Sequence, residues 1–134
     1  MSQEDVDFLR RAVELGSETD LEAMAARYHP DAELRDLQHL PDIPEVLRGR
    51  AAILATWERW LEALDDWTLE VNEYIDADPW VVCDVRWRAT GKGSTASIDW
   101  RVAEAYEVKD GFIVRQIAGF PNVAAALKAV GPEE

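Results

Sequence analysis

The chain has 134 residues, the size of one domain, and 48% of them are apolar, which excludes a disordered chain. Its formal net charge of −13, from 27 acidic and 14 basic residues, repels phosphate backbones and anionic head groups, so neither nucleic acid nor a membrane surface is an expected partner. Cys83 is the single cysteine, which excludes an intrachain disulfide and fits a reducing compartment.

The start, Met1-Ser2-Gln3-Glu4-Asp5, has no basic and apolar leader pattern, and no apolar run is long enough to span a bilayer. A cytoplasmic location is therefore expected, with residues 1–134 as a single domain and a loose Gly131–Glu134 tail.

The first expected helix starts with a capping-box-like Ser2/Asp5 pair, carries Val6, Leu9 and Val13 at helical spacing and stops near Gly16. A second starts at Thr19 or Asp20, puts Leu21, Met24, Ala25 and Tyr28 on one face, and ends at Pro30. Ala32 to Leu37 reads as a short strand, and Gln38 to Glu45, with Pro41 and Pro44, as a loop. After Gly49 the stripe Ile53, Leu54, Trp57, Trp60, Leu61 and Leu64 predicts the clearest helix.

Asp65-Asp66 breaks that pattern, and period-two segments follow. Trp67, Leu69, Val71 and Ile75 alternate with Thr68, Glu70, Asn72 and Tyr74; Val81, Cys83, Val85 and Trp87 alternate with Val82, Asp84, Arg86 and Arg88. Ile98, Trp100, Val102, Glu104, Tyr106 and Val108 form the next apolar face. Lys109-Asp110-Gly111 signals a hairpin into a last strand, Phe112 to Phe120, and Asn122 to Val130 a short closing helix. Helices followed by an antiparallel meander give an α+β class.

Glu104 is the one charge on its apolar stripe, so it must be paired, protonated or set at a cavity. Arg86, Arg101 and Arg115 are the structural partners available to it. Six tryptophans are many for this length; Trp57, Trp60 and Trp100 fall on core-facing stripes, where they either fill the core or wall a cavity for a flat apolar ligand, and Trp80 and Trp87 are candidates for a subunit interface. His29 and His39 have no Cys/His cluster around them, and Gly91-Lys92-Gly93 sits in a turn with no helix after it, so no metal and no cofactor is expected.

Four segments carry a resemblance: Asp20-Leu21-Glu22-Ala23-Met24 with Tyr28-His29-Pro30-Asp31-Ala32-Glu33-Leu34; Leu47-Arg48-Gly49-Arg50-Ala51-Ala52-Ile53; Val108-Lys109-Asp110-Gly111-Phe112-Ile113-Val114-Arg115; and Ala126-Leu127-Lys128-Ala129-Val130-Gly131. In that order they resemble the SnoaL-like proteins of the NTF2-like, ketosteroid-isomerase-like superfamily. The resemblance implies a cone in which three N-terminal helices pack on a curved antiparallel or mixed sheet, with a short C-terminal helix, one internal pocket and a homodimer formed through the sheet. The fold hosts many reactions.

Isomerases of this fold use a carboxylate base and an oxyanion hole built from a tyrosine and a protonated acid. The resemblance puts Asp36 at the base position and Glu104, or its neighbour Ala103, at the acid. The helix-one tyrosine position falls on Ala12, leaving Tyr28, Tyr74 or Tyr106 as substitutes, and Asn122 stands where related proteins often carry an aspartate. Tyr28, Tyr106 and Phe120 join the three tryptophans as expected ligand contacts. A third arrangement, Asp99, Arg101 and Arg86, resembles the water-activating set of epoxide hydrolases of this fold, or else forms a salt-bridged outer face. The expected function is cofactor-free acid–base isomerisation, cyclisation or hydrolysis of a small apolar ring-containing molecule. The alternative is a non-catalytic ligand-binding or dimeric interaction module of the same fold.

Overall fold

The computed structural model describes residues 2–17, 20–38, 44–93 and 97–131. Their elements run α1 (Ser2–Ser17), α2 (Leu21–Ala25), β1 (Tyr28–Asp36), β2 (Val46–Arg48), α3 (Arg50–Leu61), β3 (Leu64–Ala77), β4 (Trp80–Gly91), β5 (Ser97–Lys109), β6 (Phe112–Phe120) and α4 (Val123–Val130). The strands form one curved mixed sheet in the order β2-β1-β6-β5-β4-β3, with β1 parallel to β6 and every other pair antiparallel. The helices number four among the described residues, and the expected group of three N-terminal helices is corrected, because α3 enters only after β1 and β2. None of them is long and apolar enough to cross a membrane.

Local chemistry accounts for most boundaries. The Asp20 side chain caps α2 by accepting from Ala23 N at 3.1 Å, and Asn122 caps α4 by accepting from Ala125 N at 2.8 Å. Asp110 and Gly111, at φ 53° and 80°, make the two-residue turn with both φ values positive that joins β5 to β6. His39 and the turn residues from Ser94 to Ala96 lie outside the described residues.

Three expectations change. Helix α2 ends at Ala25, and Tyr28 opens β1 rather than closing a helix face. Pro30 is tolerated inside β1 because the ladder to β6 is interrupted between Tyr28 and Glu33. Between the expected loop, which ends at Glu45, and Gly49, Val46–Arg48 forms β2, a strand defined only by its pairing to Glu33–Arg35. Finally, β3 starts at Leu64 despite Asp65-Asp66, and a bulge between Val71 and Glu73 inverts its alternation, so Tyr74 packs with the inner face and Ile75 with the outer.

The sheet has a core on each side. Leu9 and Ala12 of α1 and Ile53 of α3 pack with Leu34, Val81, Cys83, Val85 and Ile113 on the inner face. On the outer face α4 buries Ala126 against Trp80, Val82, Ala103, Ala105 and Phe120. Beyond α4 the outer face is charged, with the pairs Arg86–Asp99, Arg101–Asp84, Arg115–Glu107 and Arg88–Glu70. The inner face is therefore the one on which an apolar cavity can form.

Candidate functional site

A cavity of about 110 Å³ lies between α2, α3 and the inner face of the sheet. Helix α3 supplies Thr56, Trp57, Trp60 and Leu61 to one wall, and Trp67, Leu69 and Trp87 stand across from them on β3 and β4. The polar end is built by Glu104 and Tyr106 of β5, Gln116 of β6, and Asp36 with Gln38 where β1 ends. Of α3, only Ile53 is fully buried; Trp57 and Trp60 are half-buried because their stripe borders the cavity.

Glu104 and Tyr106, two apart on β5, share the inner face, and Tyr106 pairs across to Gln116. Tyr106 donates to Glu104 Oε1 at 2.5 Å, and Gln116 Nε2 donates to the same oxygen at 3.2 Å and to the Tyr106 hydroxyl at 3.1 Å. Behind them the fully buried Tyr28 donates to Gln116 Oε1, which turns the amide so that its nitrogen meets Glu104. The two bonds that reach Glu104 both end on its Oε1. No side-chain oxygen or nitrogen among the described residues is both sealed and unpartnered, so Oε2 opens onto the cavity.

Burial raises the Glu104 carboxyl above its ordinary range, and the nearby Asp36 charge adds to the rise; the Tyr106 and Gln116 hydrogen bonds oppose it. The Tyr28 and Tyr106 phenols are pushed well above theirs, by burial first and the Glu104 charge next, so both remain donors at neutral pH. Burial also pushes up the Cys83 thiol, with the Glu104 charge adding to it, which leaves Cys83 a packing residue and no nucleophile.

The raised Glu104 carboxyl makes stability depend on pH. Its contribution is full below the ordinary carboxyl range and is lost as pH rises through the raised value, since the folded state holds the proton longer than the unfolded chain. Glu104→Gln keeps an oxygen to accept from Tyr106 and Gln116 but carries no charge. The variant is therefore expected to gain stability relative to wild type between about pH 4 and pH 8, read from paired urea melts. A stability difference that stays flat over that range would show that Glu104 titrates normally.

Asp36 is held from three sides. Its amide donates to Glu45 O at 2.8 Å, its Oδ1 accepts from Gln38 N at 2.8 Å, and the next amide, Leu37 N, reaches Ala118 O at 2.9 Å. The turn presses on Gly119, whose φ is +91°. A Cβ there would stand 2.7 Å from Gln38 Cγ, 3.2 Å from Gln38 N and 3.4 Å from Asp36 Oδ1. Gly119→Ala is expected to cost about 1–3 kcal/mol and to shift Asp36 in the cavity, measurable by denaturation and by the backbone amide shifts of Asp36 and Gln38. A variant of wild-type stability with unmoved amides would show that the space is not needed.

The sequence-selected residues divide as follows. Asp36, Glu104, Trp57, Trp60 and Tyr106 line the cavity together. Trp100 stands one ring back, its centroid 6.5 Å from that of Trp60 in a stacked arrangement. Tyr28 is sealed beneath Gln116 and edges Trp57 at 5.3 Å, so it supports the site without lining it. Phe120 belongs to the outer core: after the inward Gln116 and Ala118, a bulge between the Ala103–Phe120 and Ala105–Ile117 pairs turns it outward. Trp87, a candidate for an interface, lines the cavity, and Trp80 is buried under α4 with Arg115 over its ring at 4.7 Å.

Sequence reasoning missed Trp67, Gln116 and Gln38 as lining residues. The alternation of β3 already put Trp67 on the Leu69 face; nothing local marks the two glutamines. Asp99 bonds Arg86 through both carboxylate oxygens, at 2.9 and 2.7 Å, and Arg101 pairs with Asp84 at 2.8 Å, all on the outer face away from the cavity. No group of three His, Cys, Asp or Glu among the described residues is placed to hold a metal.

A family model for the SnoaL-like domain matches residues 9–116. No curated protein matches the chain. Among solved structures, an NTF2-like protein of Burkholderia thailandensis is 24% identical, with a TM-score of 0.75 and coverage of 94% of this chain and 96% of that one. A proposed SnoaL-like polyketide cyclase of Mesorhizobium loti is 19% identical, with a TM-score of 0.67 over 86% of this chain and 97% of that one. TerC, co-crystallised with polyporic acid, is 17% identical, with a TM-score of 0.74 over 93% and 95% of the two chains. At such identities the structures attest the NTF2-like fold, and the family model, covering most of the chain, attests the lineage: this protein belongs to the SnoaL-like family.

Proposed function

We propose that the cavity is the active site of a cofactor-free proton-transfer enzyme acting on a small, single-ring molecule with an acidic C–H beside a carbonyl. Two carboxyl groups of unlike burial facing one apolar cavity carry this reading. Asp36, half-buried and anchored by its turn, takes the proton; Glu104, buried and held towards its neutral form, presents Oε2–H to the carbonyl oxygen as negative charge develops there. Tyr106 and Gln116 hold Glu104 in place through Oε1, and the tryptophan walls exclude water. The cavity volume favours one ring over a fused polycycle.

The test needs no knowledge of the natural substrate. A panel of cyclic ketones and enones is incubated with the protein in heavy water, and exchange of the α-protons is followed by NMR. Catalysed exchange on single-ring members supports the reading, and exchange no faster than buffer across the panel ends it.

We also propose a homodimer through the outer face of the sheet. That face presents four ion pairs beside α4, so a second copy seated there would be held partly by charge and loosened by salt. Light scattering after gel filtration is expected to give twice the 15.1 kDa chain mass at low salt; a particle of 15.1 kDa at every salt concentration would refute it.

A further inference from the structure

Trp57, Trp60, Trp67 and Trp87 line the cavity, and Trp100 stacks behind Trp60. Trp60 meets Trp87 at 5.6 Å with planes at 80°, and Trp67 meets Trp87 at 5.5 Å with planes at 34°. The rings thus form a wall that bends through nearly a right angle, so a group resting in the bend is flanked by more than one indole. Indole faces carry the negative lobe of the ring quadrupole. Asp36 and Glu104 open onto the same cavity, and the other polar lining groups, Gln38, Thr56, Tyr106 and Gln116, are uncharged. The charge offered to a ligand by the described lining is therefore acidic only.

We propose that the cavity selects a ligand carrying a compact organic cation, an alkylammonium head group, caged by the tryptophans with Asp36 as counter-charge. This rests on the cavity being the small-molecule site proposed above and names the charge class of what enters it. Size permits it: a trimethylammonium head has about the bulk of one small ring, the size class proposed above for this cavity of about 110 Å³. The physics is selective. A cation loses hydration on entering but gains a carboxylate and aromatic faces, whereas a neutral group of the same shape gains burial alone and an anion meets Asp36.

Choline and its neutral carbon isostere 3,3-dimethylbutan-1-ol differ in charge and hardly in shape. Both are titrated against the protein at ionic strength matched with sodium chloride, read by calorimetry and by tryptophan fluorescence. Choline is expected to bind at least about tenfold tighter. Asp36→Asn, which retains the Oδ1 acceptor for Gln38 N, should bring the ratio of the two affinities close to one. Equal or weaker binding of choline, an unchanged ratio in Asp36→Asn, or no binding of either probe overturns the proposal. The isostere arm separates the two readings: equal binding of both probes removes the charge preference and keeps the pocket, whereas loss of proton exchange with intact cation preference removes the chemistry alone.

Discussion

Asp36→Asn is expected to slow α-proton exchange on the most reactive single-ring ketone by about 10²–10⁴-fold, the usual contribution of a positioned general base. The amide keeps the shape of the side chain and the bond from Gln38 N, but it has no basic oxygen at neutral pH. Asp36 is half-buried and has no ion-pair partner among the described residues, so the variant should melt within about 0.5 kcal/mol of wild type. A large loss of exchange without loss of stability assigns the base. Exchange at the wild-type rate would move the base elsewhere in the cavity, with Glu104 the remaining carboxyl.

Ile53→Ala is expected to destabilise the protein by about 2–5 kcal/mol, read from urea or thermal denaturation. Ile53 is completely buried and is the only buried residue of α3, so it anchors the helix that carries Thr56, Trp57 and Trp60. Its neighbours on the stripe border the cavity and cannot compensate by packing. The exposed position Glu58 on the same helix serves as the comparison, where alanine should change stability by no more than about 0.5 kcal/mol. If Ile53→Ala proved as mild as the Glu58 variant, α3 would be held chiefly by its aromatic side chains.

Both predictions depend on how the site is assembled. Glu104 was legible from its own strand, because a charge between Val102 and Tyr106 on an alternating apolar face has few places to go. Trp57 and Trp60 were legible from the helical stripe that holds Ile53. Asp36 was reached only through family resemblance, since its strand offers no pattern that separates it from Glu33 or Asp31. Tyr28 opens β1 instead of joining the helix face on which its spacing puts it, because α2 closes after Ala25 and the chain extends before reaching Pro30.

Phe120 shows a different limit. Period two from Gln116 and Ala118 puts it in the cavity, and one extra residue in the bulge at Ala118-Gly119 puts it on the other side of the sheet. The same kind of insertion at Asn72 exchanged Tyr74 and Ile75. A bulge is specified by what the neighbouring strand and turn demand, here the approach of the Asp36–Gln38 turn to Gly119, and such demands connect residues far apart in the chain.

The α+β class, the α3 stripe, the hairpin at Asp110-Gly111 and the apolar stripe that carries Glu104 are legible in the chain, because they follow from periodicity and turn chemistry over short stretches. That Glu104, Tyr106, Gln116 and Tyr28 form one network, that Asp36 shares their cavity, and that Trp67 and Trp87 face Trp60 across it emerges with the assembled sheet. Those relations depend on the register of β1, β5 and β6 and on two bulges. Register is set by the summed packing of both faces of the sheet, a long-range quantity that no local stretch of this chain encodes.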